Sequence, residues 1–436
     1  MSSKSQVLKN NCILITEQVQ NARTASLGFW FSVGSRYEKQ GEFGISHFTE
    51  HMIFKGTATR TARDISCAFD RIGGYVNAFT ERENVCVYCT VPAIEDKSVS
   101  LAVEVLCDMV ANATFDAQEI EKERAVIKSE IIAAQDDPEE AALDEVAMAV
   151  WPDQAISRTI GGSVDDVDAI TREALVDWYQ THFVHGELVV CAAGHVDERQ
   201  IVSLLEKLPL RDVEKKIPVE SHFDLQHPLW QAGSSYVAAP FKQEQLFVLY
   251  PYSVGKSSSF APITEKEYYA LSVFNALTGD TMSSRLFDTL RENTGLCYSV
   301  YSFFTFYEDA AIWCAYASCE KKNAQKVMAL CKSEIKKLAG HEISEDEIEA
   351  AKVHLCGEET ISGEDVEYRM KRLSRNHQMG FNLRDTDGTI ECIKQVTKAD
   401  VEMVVDRLLN GVTDNCAFIS YGPKLPLRIR KGKYND

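Results

Sequence analysis

The sequence lacks any apolar run long enough to cross a membrane, and it has no hydrophobic signal core near its start. A spanning helix needs about 20 consecutive apolar residues, and no stretch of the 436 residues comes close to that composition. The first residues, MSSKSQVLKNNCILITE, also lack the arginine-rich amphipathic character of an organelle presequence. We therefore expect a full-length cytoplasmic protein with no membrane partner.

Clusters of lysine and arginine are also absent. The formal net charge is −19, and such a charge attracts neither nucleic acid nor an anionic membrane. An acidic balance is compatible with neutral or basic peptides as partners, although its usual consequence is solubility. Nucleic acid is therefore not expected as a partner.

Cysteine, by contrast, is abundant, with 13 residues. A chain of this length does not need disulfides to stabilise a core, so free thiols in a reducing compartment are expected. Cys86 and Cys89 form the one close pair, in NVCVYCTV, which has the composition of a strand. Residues three apart on a strand point to opposite faces, so we predict two small buried residues and no chelating or redox pair.

The length and an internal repeat predict two domains. A chain of 436 residues suits two domains of about 200 residues each. FDRIGGYVNAFTERENVCVYCTV and FDTLRENTGLCYSVYSFFTFYEDAAIWCAYASC both run from a Phe-Asp helix end through a glycine turn into an aromatic hairpin. The polar stretch 214–233 contains two prolines and resembles a linker. We predict an α+β protein with two homologous α/β-sandwich domains, 1–213 and 234–436.

The motif HFTEH carries the first candidate functional residues. A predicted helix over 47–54 places His47, Glu50 and His51 on one face. Two imidazoles at i and i+4 can reach one Zn²⁺, and Glu50 would lie beside them to take a proton from an attacking water. The order inverts the familiar H-E-x-x-H, and the inverted form is itself a zinc signature. The alternative is a group of ordinary polar residues at a helix start.

A catalytic zinc takes three protein ligands and keeps one open position, so a third ligand must come from another segment. The predicted helix AQEIEKERAVIKSEIIAAQ has an apolar stripe that includes Ile120, Ile127 and Ile131. Glu123 and Glu130 fall on that same stripe, and a buried carboxylate needs a partner, which a metal cation can be. The alternative is that these are ordinary solvated charges on a helix.

Four stretches together resemble a known family: GISHFTEHMIFKGT, GGYVNAFTERENVCVY, EIEKERAVIKSEI and SSRLFDTLRENTGLCYSVYS. Nearly the whole chain is similar to the inverzincin zinc peptidases, which include pitrilysin, insulin-degrading enzyme and mitochondrial processing peptidase. The match is best with the short, two-domain members. The resemblance implies the mitochondrial processing peptidase/LuxS-like metallohydrolase fold, one Zn²⁺ per chain and cleavage of peptides.

The resemblance also implies a role for each acidic and imidazole side chain. His47, His51 and Glu130 match the family's zinc ligands, and Glu50 matches its general base. Glu123 matches a second acidic residue that supports the catalytic site without binding the metal directly. The second copy of the repeat has no HxxEH, so the expected chemistry belongs to the first domain alone.

Two further stretches match the family's substrate-binding residues. Asn77, Ala78 and Phe79 match an edge strand that pairs with an extended peptide, a mode that recognises mainly the peptide backbone. Arg291 and Tyr298 match a pair from the second domain that reaches the substrate and can stabilise an oxyanion or hold the main chain. Without the family, Tyr298 would be read as a hairpin aromatic and Arg291 as a solvated helix end.

Three functions are compatible with these features. The first is a zinc endopeptidase that cleaves peptides or unfolded polypeptides bound as an added strand between the two domains. The second is a non-catalytic or regulatory subunit of a processing-peptidase-like complex, which the complete set of site residues argues against. The third is a hydrolase of small molecules, which the substrate strand and the Arg291–Tyr298 pair argue against. Short members of the family often pair, so the resemblance also implies a homodimer.

Overall fold

The computed structural model describes residues 3–93, 96–211, 228–252, 263–409 and 415–423. Most of the predicted linker, residues 214–227, lies outside the described residues. The remaining part, 228–232, contains neither helix nor strand, and a strand begins at Gly233. Among the described residues, no helix combines the length and the apolar character that crossing a bilayer requires.

Strands form where β-branched and aromatic residues are dense. In chain order they are β1 Lys4–Val7, β2 Ile13–Gln18, β3 Thr24–Phe31, β4 Tyr75–Thr80, β5 Val85–Pro92, β6 Leu188–Gly194, β7 Gly233–Ala238, β8 Gln243–Pro251, β9 Cys297–Phe306, β10 Ala311–Glu320 and β11 Ala417–Gly422.

Helices occupy most of the remaining described chain. In chain order the α-helices are α1 Ile45–Ile53, α2 Ala62–Ile72, α3 Asp96–Asn112, α4 Ala117–Asp136, α5 Pro138–Val150, α6 Val164–Ala169, α7 Arg172–Trp178, α8 Glu198–Leu205, α9 Glu265–Asn275, α10 Arg285–Phe287, α11 Ala324–Ala339, α12 Glu345–Ser362, α13 Val366–Gln378, α14 Thr386–Gln395 and α15 Lys398–Leu409. Three short π-helical turns extend α7, α9 and α10 at Tyr179–Val184, Ala276–Asp280 and Asp288–Glu292.

Five strands follow the same order in both sheets, which confirms the predicted repeat, and β1 is an additional edge strand of sheet 1. Sheet 1 has the strand order β1-β2-β6-β3-β5-β4, and sheet 2 has the order β7-β11-β8-β10-β9. In both sheets one pair is parallel, β2 with β6 and β7 with β11, and the hairpin β4–β5 or β9–β10 stands at one edge. The chain is therefore an α+β protein with two homologous α/β units, as predicted.

Sheet 1 packs helices on both of its faces. One face and the helices α1 to α4, with neighbouring segments, form a large core that includes Phe29, Phe48 and Ile127. The opposite face packs against α13 through Met370 and Leu373. Cys89 belongs to the first core and Cys86 to the second, which confirms the prediction that these residues point to opposite faces. All thirteen cysteines are free thiols.

Sheet 2 is covered in the same way. One face packs with α9, α11, α14 and α15 around Trp313 and Phe274. The other face packs with α5 through Ala142, Val146 and Val150. Each of the two units therefore has a sheet between helices, with apolar residues on both sheet faces.

The compact units do not follow simple chain order. Unit 1 consists of residues 1–133, 158–224 and 360–388, and unit 2 consists of the remaining segments, 134–157, 225–359 and 389–436. The predicted boundaries, 1–213 and 234–436, gave each domain one continuous stretch. The difference comes from α5 and α13, whose apolar faces pack on sheet 2 and on sheet 1, respectively. The segment 134–157, which contains α5, therefore belongs to unit 2, and the segment 360–388, which contains α13, belongs to unit 1.

Candidate metal centre

Helix α1 presents the HFTEH motif, residues 47–51, and its start is held by local hydrogen bonds. Gly44 precedes the helix with φ +87°, a left-handed conformation that favours glycine. The Glu38 carboxylate accepts the main-chain N–H groups of Gly44 at 2.8 Å and Ser46 at 2.9 Å. A carboxylate at a helix N-terminus satisfies N–H groups that have no partner within the helix, so Glu38 fixes where α1 begins.

The structure brings His47, His51 and Glu130 together. The Nε2 atoms of the two histidines are 3.2 Å apart, with their rings nearly perpendicular at 85°. Glu130 Oε2 on α4 lies 3.8 Å from His47 Nε2 and 3.4 Å from His51 Nε2. All three ligand atoms lie within 4.8 Å of one another, close enough for one metal ion to contact each of them.

The protonation of the histidines fits a cation at this place. His51 Nδ1 lies 3.0 Å from Glu123 Oε2; since a carboxylate only accepts, this contact favours the tautomer with the proton on Nδ1 and the lone pair on Nε2. Burial, followed by the His51 ring, lowers the pKa of His47 from 6.5 to about 4, so that ring is neutral at pH 7. Two imidazole lone pairs and a carboxylate thus converge, a donor set typical of zinc.

Glu123 connects His51 to Lys55, which lies in the turn that follows α1. Its Oε2 accepts a hydrogen bond from His51 Nδ1–H, and its Oε1 lies 2.7 Å from Lys55 Nζ. The Glu123 side chain is buried, and its two oxygens each have a partner. A carboxylate bonded to the far nitrogen of a ligating histidine fixes the ring's orientation and tautomer.

Glu123 and Glu130 differ in burial, and this corrects one expectation. Glu123 is buried on the apolar stripe of α4 as predicted, beside Ile120 and Ile127. The prediction that Glu130 lies on the same buried stripe is wrong, because its side chain is 49% exposed. Glu130 precedes the buried Ile131 by one residue, about 100° around the helix, so its carboxylate reaches the histidines from the side open to solvent.

Glu50 lies one residue before His51 and is only 9% exposed. Its Oε2 accepts a hydrogen bond from the Thr80 hydroxyl at the end of β4. Burial raises the pKa of the Glu50 carboxyl, while the Thr80 hydrogen bond and His51 lower it and Glu130 raises it. A buried carboxyl with a raised pKa next to imidazoles is the type of group that serves as a general base.

The predicted substrate strand, β4, is one of the two edge strands of sheet 1 among the described residues. In the turn between β4 and β5, Glu81 N–H donates to Asn84 O at 2.8 Å. Bonded and non-bonded pairs alternate along an antiparallel ladder, so the odd-numbered residues of β4 are the ones that hydrogen-bond to β5. Of the three predicted residues, Ala78 alone directs its main-chain groups to the free edge. Its N–H donates to Asn77 Oδ1 at 2.9 Å.

The side chains of β4 alternate between the two faces of sheet 1. Ala78 and Thr80 face the core that contains α1, and Thr80 reaches Glu50. Asn77 and Phe79 face the opposite side, where Phe79 lies beneath the Lys371 ammonium, 5.7 Å from its ring centroid. The structure therefore does not bring the side chains of Asn77 and Phe79 to the histidines.

Arg291 and Tyr298 lie in unit 2 and contact each other. Arg291 lies on the π-helical turn after α10, and Tyr298 lies near the start of β9, one of the two edge strands described in sheet 2. The Arg291 guanidinium carbon is 5.6 Å from the Tyr298 ring centroid and 4.9 Å from that of Phe287. The Tyr298 side chain is 75% exposed, so its hydroxyl is accessible to a ligand.

Three residues of the site were not predicted from the sequence: Glu38, Lys55 and Thr80. Lys55 follows His51 by four residues, a helical spacing that could have indicated a shared face. Thr80 follows Ala78 by two residues and therefore shares its face of the strand. No sequence pattern indicates Glu38, because its bonds depend on the path of the loop before α1.

Known proteins are similar to this chain over most of its length. Residues 13–163 match the family described as insulinase (peptidase family M16), and residues 169–355 match the peptidase M16 inactive domain. A Streptomyces coelicolor protein named an uncharacterized zinc protease is 32% identical over 91% of this chain and 85% of its own length. A Rickettsia felis protein of the same description is 30% identical over 93% of this chain and 95% of its own.

A solved structure is similar over almost its full length. The crystal structure of a peptidase M16 inactive domain from Pseudomonas fluorescens covers 98% of both chains with a TM-score of 0.83. Its sequence identity to this chain is 16%, so the likeness concerns the fold alone.

Proposed function

The chain belongs to peptidase family M16, and on that premise we propose that it is a zinc-dependent endopeptidase acting on peptides or unfolded polypeptides. One observation carries the proposal. The Nε2 atoms of His47 and His51 converge with Glu130 Oε2 within 4.8 Å, directly beside the buried Glu50 carboxyl. These three side chains would hold one Zn²⁺ per chain.

When bound, Zn²⁺ supplies a Lewis acid that polarises a scissile carbonyl and lowers the pKa of water at the site. Glu50 is the proposed general base. Its Oε2 accepts the hydrogen bond from the Thr80 hydroxyl, and Oε1 is the oxygen proposed to take a proton from the attacking water and to pass it to the leaving amine. Glu123 and Lys55 hold the His51 ring with its Nε2 lone pair directed inward.

We propose that the substrate binds as an extended strand along the free edge of β4. The even-numbered residues Val76, Ala78 and Thr80 direct main-chain donors and acceptors away from β5. Pairing through main-chain groups gives affinity with little demand on sequence. In the free protein, the Ala78 N–H donates a hydrogen bond to Asn77 Oδ1. A peptide carbonyl must displace Asn77 Oδ1 to accept this hydrogen bond.

Arg291 and Tyr298 provide a second set of groups suited to a peptide. The exposed Tyr298 hydroxyl can donate to a developing oxyanion, and the Arg291 guanidinium over its ring limits the motion of the pair. We propose that both contact the substrate.

The metal ligands can be tested by comparing the wild-type protein with His51→Ala. The wild type should contain zinc after purification and cleave an unfolded protein, whereas His51→Ala should lose both zinc and cleavage. His195→Ala, a change at an exposed histidine, serves as the control and should keep both. A wild type that binds no zinc and stays inactive after zinc is added would contradict the proposal and favour a non-catalytic subunit.

A further inference from the structure

Thr80 is the last residue of β4, and its side chain holds the proposed base. Its hydroxyl donates a hydrogen bond to Glu50 Oε2. No other group among the described residues hydrogen-bonds to the Glu50 carboxyl, which is 9% exposed. A buried carboxylate with one donor has its orientation set by that donor.

The main chain of Thr80 is in a second functional position. Thr80 is opposite Val85 in the register of β4 and β5, next to the bonded pair Glu81 and Asn84. Antiparallel pairs alternate between bonded and non-bonded positions, so the N–H and C=O of Thr80 point to the free edge of β4. One residue therefore contacts Glu50 with its hydroxyl and faces the proposed substrate strand with its backbone.

We propose that Thr80 is a positioning residue that sets the Glu50 carboxylate relative to the bound peptide strand. The inference rests on the proposed function. The hydroxyl fixes Oε2 and leaves Oε1 directed to the attacking water, and Thr80 itself keeps its proton throughout. Because the same residue hydrogen-bonds to the peptide, the distance from base to scissile bond is fixed by one residue of β4.

A simpler role for the hydroxyl would be to satisfy a buried polar group and so to stabilise the fold. The two roles predict different kinetics. A structural role would affect the stability of the edge strand and hence peptide binding, measured as KM. A positioning role would affect the chemical step, measured as kcat, since the backbone pairing that binds the peptide does not need the hydroxyl.

The test is steady-state cleavage of a peptide by Thr80→Val, which keeps the shape of the side chain, and by Thr80→Ser, which keeps the hydroxyl. Thr80→Val should lower kcat about 10- to 100-fold, the effect of losing one hydrogen bond to a charged group, with KM within about twofold. Thr80→Ser should restore most of kcat. Thr90→Val, the same change on β5, is the control, and zinc content should match the wild type in all variants.

Three results would overturn the inference: an unchanged kcat in Thr80→Val, a loss confined to KM, or equal defects in Thr80→Val and Thr80→Ser. Glu50→Gln separates these outcomes from a failure of the proposed function. If the wild type cleaves, Glu50→Gln does not, and Thr80→Val is normal, only the role of Thr80 is refuted. If Glu50→Gln still cleaves, the proposed mechanism itself is refuted.

Discussion

Single side chains determine which atom of each histidine can bind a metal. His51 directs Nε2 toward His47 because its Nδ1–H donates a hydrogen bond to Glu123. Glu123 is in turn paired with Lys55. Without Lys55, the buried Glu123 would carry a charge with fewer partners, which is costly. The Lys55–Glu123 pair therefore stabilises the orientation of His51.

We predict that Lys55→Met lowers zinc affinity about tenfold, the lower end of the effect seen when a group behind a metal ligand is removed. The measurement is competition for zinc against a chelator of known affinity. Lys128→Met is the matched control. Lys128 lies on α4 and pairs with Asp168 on α6, so this substitution should leave zinc affinity unchanged. Equal affinities of wild type and Lys55→Met would contradict this account of the site.

Part of the site could be predicted from local spacing. The interval of four between His47 and His51 places both on one helix face, and Glu123 proved to be buried because the stripe of α4 has helical period. The partners from other elements could not be predicted from the residues alone. The Thr80 bond to Glu50 joins a strand to a helix thirty residues away, and such a contact depends on the tertiary fold.

Helices and strands were predicted well where their pattern is local, but their packing partners were not. Local sequence patterns predicted α1, α4 and β5 with bounds close to those observed. The attachment of α13 to sheet 1 was not predicted, because an amphipathic face does not specify which sheet covers it. In the structure, Glu17 on β2 forms ion pairs with Arg369 and Arg372 of α13.

We predict that Glu17→Gln destabilises the protein by about 3–5 kcal/mol, because it leaves two arginines of α13 without their buried carboxylate. Glu17 and Arg372 are both 0% exposed, with Arg372 Nη2 2.9 Å from Glu17 Oε2. Urea unfolding gives the free energy of unfolding. Lys9→Met breaks the exposed pair with Glu206 and should cost under about 1 kcal/mol; a similar small loss in Glu17→Gln would show that this pair does not hold α13.

At the scale of the whole molecule, the described parts of the two units share the order of five strands but differ in chemistry. Among the described residues, the one group of three or more metal-binding side chains that could hold an ion is His47, His51 and Glu130 in unit 1. The fold repeat was visible in the sequence because hairpins and glycine turns leave a local pattern. The exchange of 134–157 and 360–388 between the units was not visible, since it depends on packing over long distances in sequence.

Stability of the whole protein should fall in mild acid through a partly buried histidine outside the metal centre. Burial, followed by Lys39, lowers the pKa of His182 from 6.5 to about 4. The unfolded chain therefore binds a proton below about pH 6.5 that the folded chain does not bind until about pH 4. Stability from this group is present above pH 6.5 and is lost as the pH falls.

We predict that His182→Gln reduces the loss of stability between pH 7 and pH 5 by about 2 kcal/mol. Unfolding free energies from urea titrations at the two pH values measure the effect. The same change at the exposed His195 should leave the pH dependence as in the wild type. An identical acid sensitivity of His182→Gln and wild type would show that the folded protein does not hold His182 in its neutral form.

The most direct test of the central claim is cleavage of an unfolded protein by Glu50→Gln, with zinc measured in the same sample. Glutamine keeps the size and the Thr80 contact of Glu50 but cannot take a proton. The account predicts zinc content equal to the wild type, because Glu50 is not one of the three converging ligands, together with cleavage at least 100-fold slower, as expected for the loss of a general base. Cleavage at the wild-type rate by zinc-loaded Glu50→Gln would contradict it.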